Sequence, residues 1–207
     1  APEPQNLHGH LDALRRALAR DDRLEELARA GSKLFNQRGT DGVSLDEVAA
    51  EIGASKGLIY HYFPNKREFI GFCYTRSFDY FERVIAIAEA QPSALAGAGL
   101  GTALNVMSQL DDLHPLALGS HFEIFEPHQQ KLFTARTDAL SRRTVGLIQR
   151  GIEEGEMRAL DVEPVALASA GAYNTLAYWL PEKERTDPLA TACEISALLL
   201  NGLASNS

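Results

Sequence analysis

Within the seven residues Lys56 to Tyr62 (KGLIYHY) stand one lysine, two tyrosines and one histidine. An ammonium group can hold a phosphate, phenolic hydroxyls donate and accept hydrogen bonds, and an imidazole offers a polar ring. Ile59 and Phe63 lie four apart, so in a helix both face inward. Lys56, Gly57, Tyr60, His61 and Tyr62 are then left on the outer surfaces. Exposing two phenol rings there gains nothing for folding. It does present hydroxyls, a ring to lie on a thymine methyl and a cation, the equipment for reading base edges in a major groove. Lys66 adds a second signal. It sits in the first turn of the next helix, where the helix dipole disfavours a cation. A phosphate bound at that helix N-terminus accounts for its position.

The elements that must position these groups are legible around them. Residues 22–38 predict a helix, with Leu24, Leu27, Ala28, Leu34 and Phe35 on one stripe. Gly39 stops it, and Thr40-Asp41-Gly42 is a turn. Ser44 and Glu47 have the spacing of a capping box, and Val43 and Val48 that of a hydrophobic staple across it. Leu45, Val48, Ala49 and Ile52 form the buried face of this second helix. Gly53 ends it where a positive φ is needed. Ser55 caps a third helix, Lys56 to Phe63, too short to be stable alone. Pro64 closes it, and Asn65 caps a long helix over 66–90, roughly 37 Å at 1.5 Å per residue. Two short helices joined by a tight turn form a helix-turn-helix.

Beyond residue 90 every periodic segment predicts helix: 95–113, a short aromatic piece from Pro115 to Glu126, 127–154, 164–180 ending at Pro181, and 188–203. The fold class is therefore all-α: an N-terminal three-helix helix-turn-helix domain plus a C-terminal helical bundle. The expected division is 1–21 as a flexible N-terminal extension, 22–70 as the DNA-binding domain and 71–207 as the bundle. In the extension, Leu11, Leu14 and Leu18 recur at helical spacing with Arg15, Arg16 and Arg20 between them. A solvated tail is preferred there over a basic arm reaching into an adjacent groove.

The formal charge of −8 argues against a nucleic-acid partner until its distribution is read. Residues 23–70 carry 7 basic and 7 acidic groups, whereas residues 71–207 carry 10 and 17. A neutral head with a basic face can hold phosphates while an acidic body is repelled. No apolar run approaches the ~18–20 residues that span a bilayer, so no membrane partner is expected. The opening APEPQNLHGH lacks the basic-then-apolar pattern of a signal peptide. Two separated cysteines, Cys73 and Cys193, form no disulfide framework, so the expected compartment is the cytoplasm. His114, His121 and His128 are seven apart, about 10 Å per step on a helix, too far to share one metal. Glu153, Glu154 and Glu156 read as a solvated helix end. No nucleophile elbow, zinc-protease helix or phosphate loop occurs. No metal, cofactor or catalytic residue is assigned.

The constellation Phe35, Gly39, Val48-Ala49, Ile52-Gly53, Ser55-Lys56-Gly57, Ile59-Tyr60, Phe63, Asn65-Lys66 and Phe69 resembles the TetR family of bacterial transcription regulators over residues 22–72. The resemblance implies a homodimeric repressor, with 71–207 as a helical-bundle ligand-binding (effector-binding) and dimerisation domain. It would bind a palindromic double-stranded operator and release it when a small molecule fills the larger domain. By position it implies DNA contacts from Ser44, Ser55, Lys56, Gly57, Leu58, Tyr60, His61, Tyr62 and Lys66. Ser44 and Lys66 would hold phosphates, Tyr60 would pack on the backbone, and His61 and Tyr62 would face bases. Leu58 stands where many members have threonine, replacing a hydroxyl with apolar contact.

The stretch GAYNTLAYWLPEKERTDPL is similar to a narrower branch that answers acyl-CoA thioesters or related lipids. On that resemblance the expected effector pocket holds Phe78, Met107, His121, Phe122, Phe125, Tyr173, Asn174, Tyr178 and Trp179. Arg83 or Arg136 would meet a CoA headgroup. Core or interface packing is the competing reading of Tyr173, Tyr178 and Trp179. The dimer seam is expected along Leu189, Ala192, Cys193, Ser196, Leu199, Leu200 and Leu203, a stripe that a buried core helix would also show. Three alternatives stay open at this point: a drug-like aromatic effector, a redox input at a cysteine, and a helical-bundle enzyme.

Overall fold

The computed structural model describes residues 4–18, 22–111, 113–118, 122–179 and 187–203. Arg20, His121 and the stretch 180–186, each singled out above, lie outside these. The described residues form nine α-helices and no strand: α1 (Pro4–Leu18), α2 (Asp22–Arg38), α3 (Leu45–Glu51), α4 (Lys56–Tyr62), α5 (Lys66–Glu89), α6 (Ala94–Leu110), α7 (Pro127–Glu153), α8 (Val162–Trp179) and α9 (Pro188–Leu203). None of them is long and apolar enough to cross a membrane.

Helices α2 to α4 pack on the start of α5 through Leu27, Phe35, Val48, Ile59, Phe63 and Phe69. Gly31 makes this approach possible, because a Cβ there would lie 2.4 Å from the Phe69 ring. The same core continues into Tyr74, Phe78, Leu116, Phe122, Phe125 and Phe133. Phe133 of α7 is its hub, with ring centroids 5.1 Å from Phe125, 5.5 Å from Phe122 and 5.7 Å from Phe78. Phe78, Phe122 and Phe125 are thus packing residues behind the helix-turn-helix, not walls of a pocket. Stacked, tilted and edge-on rings at these distances leave no room between them for a guest.

The N-terminal segment differs from the solvated tail expected of it. Leu7, Leu11, Leu14 and Leu18 of α1 are buried against Tyr80 and Val84 of α5 and Leu104 and Met107 of α6. Each buried leucine contributes about 2 kcal/mol, which offsets part of the cost of ordering this 15-residue helix. Arg15 pairs with Asp12 and Asp111, which fixes α1 against the end of α6 and directs that arginine away from any groove. Met107 belongs to this second core.

Pro115 to Glu126 is the other departure, since its described residues are not helical. Side chains of the surrounding helices satisfy its backbone instead. Asn36 of α2 donates to the Pro115 carbonyl at 2.9 Å and accepts from the Ala117 N–H at 2.8 Å. Ser77 of α5 accepts from the Leu116 N–H at 2.7 Å. Gln109 of α6 donates to the Pro115 carbonyl at 3.0 Å. His114 holds φ at 38°, a strained value for a side chain with a Cβ.

The acids after α7 are structural as well. The Glu156 carboxylate accepts from the Ser93 hydroxyl and the Leu95 N–H, and Glu154 accepts from the Ala94 N–H, together capping α6. Those N–H and O–H donors hold the Glu156 carboxyl below its usual range.

Candidate functional site

The helix-turn-helix is set by its caps. Ser44 accepts from the Glu47 N–H at 3.2 Å, and Glu47 accepts in return from the Ser44 N–H at 2.8 Å. Arg38 adds an ion pair to Glu47 at 2.8 Å. The Ser44 backbone N–H, the Arg38 guanidinium and the Ser44 hydroxyl together bring the Glu47 carboxyl down from 4.5 to about 2. Gly53 turns the chain into α4 at φ 64°, a backbone state that glycine alone adopts at no cost.

In α4 only Ile59 is buried. Ser44, Ser55, Lys56, Gly57, Tyr60 and His61 are exposed around it, on one continuous stretch of the head. Leu58 and Lys66 are half-buried. Lys66 Nζ lies 3.5 Å from the Asp41 carbonyl, beside the turn before α3. Tyr62 is half-buried and packs against the first core, with its ring edge-on to His61 at 5.3 Å. Lys56 lies over the Tyr60 ring at 5.6 Å and pairs with Asp46 of α3 at 2.6 Å. Asp46 raises the Lys56 ammonium above the usual lysine range, so the cation is permanent. The spacing of the motif did not signal that Asp46 occupies this lysine, nor that Arg38 stands beside Ser44.

A second concavity lies inside the larger part, between α5, α6, α7, α8 and α9. It encloses about 250 Å³. Its walls include Phe81, Val84, Gly101, Leu140, Leu147 and Leu200, with Tyr173 and Asn174 from α8. Of the described pocket residues read from sequence, Tyr173 and Asn174 line it. Phe78, Met107, Phe122 and Phe125 are core, and Tyr178 and Trp179 stand exposed at the end of α8, ring against ring at 5.0 Å. Arg136 is not free for a headgroup. It pairs with Asp79 at 2.8 Å and Glu82 at 2.7 Å across the α5–α7 seam. The real lining comes from small and aliphatic residues of α6 and α7, which have no distinguishing sequence signal.

The stripe read as a dimer seam faces inward. Ala192 is 0% exposed, Ser196 is 1% exposed, and the Ser196 hydroxyl donates to the Gly99 carbonyl of α6 at 2.9 Å. Leu189 packs on the second core, and Leu199, Leu200 and Leu203 line the cavity. α9 is therefore held to α6 of its own chain by that stripe. The aliphatic side chains that α8 and α9 expose include Leu167 at 75% and Leu198 at 72%.

Among the described residues no three His, Cys, Asp or Glu side chains gather to hold a metal. Cys73 is fully buried, and burial pushes its thiol up to about 12.

Comparison with known proteins places this geometry. Residues 27–71 match the family described as bacterial regulatory proteins, tetR family, and residues 111–203 match the tetracyclin repressor-like C-terminal domain. Over 50 residues the chain is 38% identical to the uncharacterized HTH-type transcriptional regulator YxaF of Bacillus subtilis, covering 24% of this chain and 26% of that protein. It is 34% identical over 50 residues to the Tn10 TetC protein of Escherichia coli, covering 24% and 25%. These matches span about a quarter of the curated relatives' length. In fold it is similar to the ketosteroid transcriptional regulator KstR2 of Mycobacterium tuberculosis, with TM-score 0.70, 19% identity and coverage of 89% and 96%. It is also similar to AibR in complex with isovaleryl coenzyme A and operator DNA, with TM-score 0.67, 18% identity and coverage of 86% and 98%.

Proposed function

The chain belongs to the tetR family of bacterial regulatory proteins, and on that premise we propose that it is a dimeric repressor whose operator is released by a small, predominantly apolar effector. The observation that carries the DNA-reading half is α4, buried only at Ile59 and otherwise exposed through Lys56, Gly57, Tyr60 and His61. A seven-residue helix kept in place by the core and left bare on its polar side is built to enter a groove. Ser44, Ser55, Lys56, Tyr60, His61 and Lys66 supply its contacts, with Gly57 and Leu58 permitting close approach and Tyr62 bracing His61. Residues 22–70 act as the reading unit and 71–207 as the effector and dimer unit, in the cytoplasm.

The effector occupies the cavity between α5 and α9. AibR, a fold relative, is recorded with isovaleryl coenzyme A, and KstR2 is named for ketosteroids. Both favour a lipid-like molecule, free or as an acyl-CoA. The redox alternative loses support at Cys73, because a thiol near 12 in a buried site has almost no thiolate to oxidise.

Coupling runs through 113–118. Asn174 in the cavity wall donates to the Leu118 carbonyl at 3.1 Å, and Leu118 itself lines the cavity. The same segment is gripped by Asn36 of the head. A ligand that moves Leu118 therefore acts on α2 within a few bonded steps. Effector binding favours a state whose two heads miss successive major grooves, about 34 Å apart. A coupling of about 3 kcal/mol lowers operator affinity more than a hundredfold.

The dimer forms through the outward faces of α8 and α9, where Leu167, Gly171, Thr175 and Leu198 are exposed. Small residues there let helices of two copies approach closely.

Fluorescence anisotropy on a labelled palindromic operator tests the proposal. Dimeric protein should bind at moderate salt and let go on adding octanoyl-CoA or a neutral lipid. Failure to bind specific DNA rejects the regulator reading, and binding indifferent to every lipid rejects the effector reading.

A further inference from the structure

The wall of this cavity is neutral throughout. Among its described lining residues none carries a charge, and Tyr173 is the one group that could ionise. Burial raises that phenol, and its hydroxyl lies 2.9 Å from that of Thr102, so it stays protonated. The other polar groups are threonine and serine hydroxyls and the amides of Asn105 and Asn174. Together these supply donors and acceptors, so they suit a guest hydroxyl and a guest carbonyl alike.

Charged side chains do stand next to the wall in sequence, but each sign is matched outside it. Arg136 precedes Thr137 of the wall and pairs with Asp79 and Glu82. Arg143 precedes Thr144 and pairs with Glu89 at 2.9 Å. Arg150 donates to the Glu89 carbonyl at 3.0 Å and the Gln91 carbonyl at 3.3 Å, at the end of α5. The first turn of α6 leads into wall residue Gly97, and a helix N-terminus attracts anions. Glu154 and Glu156 already fill that place, accepting from the Ala94 and Leu95 N–H groups. Residues 71–207 carry 10 basic and 17 acidic groups, so an incoming polyanion also meets repulsion.

Resting on the effector reading above, we infer that the effector is an uncharged, oxygen-bearing hydrocarbon that enters this cavity without an ionised headgroup. A carboxylate, phosphate or ammonium leaving water for this wall meets no counter-charge, and a buried unpaired charge is costly. Neutral amides and hydroxyls offset only part of that cost. Volume sets the scale. About 250 Å³ exceeds the ~150 Å³ that admits benzene and lies just below the ~300–1,000 Å³ of drug-sized sites. One ring or a chain of medium length fits, and a nucleotide headgroup does not. Of the free lipid and the acyl-CoA, the wall therefore takes the first, in unionised form.

Isothermal titration of the intact protein with 1-octanol, 2-octanone, octanoate, octylammonium and octanoyl-CoA reads the charge preference. The alcohol and the ketone should bind within roughly threefold of each other, and the three ions at least about tenfold more weakly. 4-Nitrophenol, which ionises near neutral pH, gives a second reading on one skeleton. Its affinity should fall about tenfold for each pH unit above its own pKa, while that of nitrobenzene stays level. Ser141 lines the cavity yet is exposed, so a longer side chain fits there without disturbing the core. Ser141→Lys should raise octanoate affinity by about tenfold and leave 2-octanone binding within about threefold of the parent. An ion binding as tightly as the alcohol, 4-nitrophenol keeping its affinity as it ionises, no gain for octanoate at Ser141→Lys, or no binding by any probe overturns the inference. Operator release by octanoyl-CoA alone also overturns it, and leaves the effector reading standing. Binding of 2-octanone without change in operator affinity refutes the effector reading and leaves the neutral cavity standing.

Discussion

Arg76 of α5 and Glu25 of α2 form a two-pronged ion pair, with Nε 2.9 Å from both carboxylate oxygens. Arg76 also donates through Nη2 to the Leu113 carbonyl at 2.8 Å. One guanidinium thus joins the reading head, the long helix and the start of the non-helical segment that reaches the cavity. Arg76 is nearly buried and Glu25 mostly so.

Breaking that pair should cost more than removing it. Arg76→Met leaves the mostly buried Glu25 carboxylate to its longer pairing with Arg29 at 3.9 Å and should lower stability by up to about 3–5 kcal/mol in urea unfolding. The double change Glu25→Leu with Arg76→Met should recover much of the loss, because the buried pair is removed together and Arg29 keeps access to water. A double variant no better than the single one would mean the pair contributes little.

Asn36 should uncouple effector from DNA. Asn36→Leu removes both its bonds to the segment and leaves the Ala117 N–H unpaired, at a cost of about 1–3 kcal/mol. The variant should bind operator, yet its affinity should respond far less to effector than that of the parent. Anisotropy with and without effector reads the ratio directly.

Asp46 competes with phosphate for Lys56. Asp46→Asn should raise operator affinity by up to about fivefold, the upper worth of an exposed ion pair. Lys66→Ala should instead lower affinity for every sequence and reduce the salt dependence by about one counterion. Salt titrations of binding distinguish the two.

The capping box at α3 has a pH signature. The folded Glu47 carboxyl is depressed from 4.5 to about 2, so its contribution is fully present above pH 4.5. It is lost as pH falls towards 2. The stability difference between the parent and Glu47→Gln should hold at neutral pH and shrink across that acid window. Ser44→Ala removes the other half of the box and should cost about 1 kcal/mol at neutral pH, and less in acid, where its hydroxyl no longer donates to an ionised Glu47. Thermal melts from pH 7 down to 2 give both.

The outward faces of α8 and α9 predict where the dimer breaks. Leu198→Glu or Leu167→Glu should give a folded monomer by sedimentation, with operator affinity lost and helical signal kept. Ala192→Leu, aimed inward at α6, should leave the dimer contact alone and destabilise the fold by about 1–3 kcal/mol.

The reading head was legible from sequence because its determinants are local. Ser44 and Glu47 cap a helix three residues apart, Gly53 turns the chain, and Ile59 with Phe63 sets which side of α4 is bare. Spacing along the chain is enough to fix each of these. Apart from Pro115 to Glu126, helix positions were legible for the same reason, from periodicity and from Pro127 and Pro188. The partners of those helices were not. Leu7, Leu11, Leu14 and Leu18 carry a helical stripe, but nothing local says that Tyr80 and Met107 wait to cover it. The stripe Ala192, Ser196 and Leu200 suits an interface or a core equally, and only the packing of α9 on α6 assigned it to the core. Asn36 and Pro115 meet across 79 positions. Phe122 and Phe125 looked like pocket walls until Phe133 filled the space between them. A cap or a turn is encoded where it acts. A cavity is the space that remains after distant helices have chosen their neighbours, so its lining was decided by tertiary structure alone.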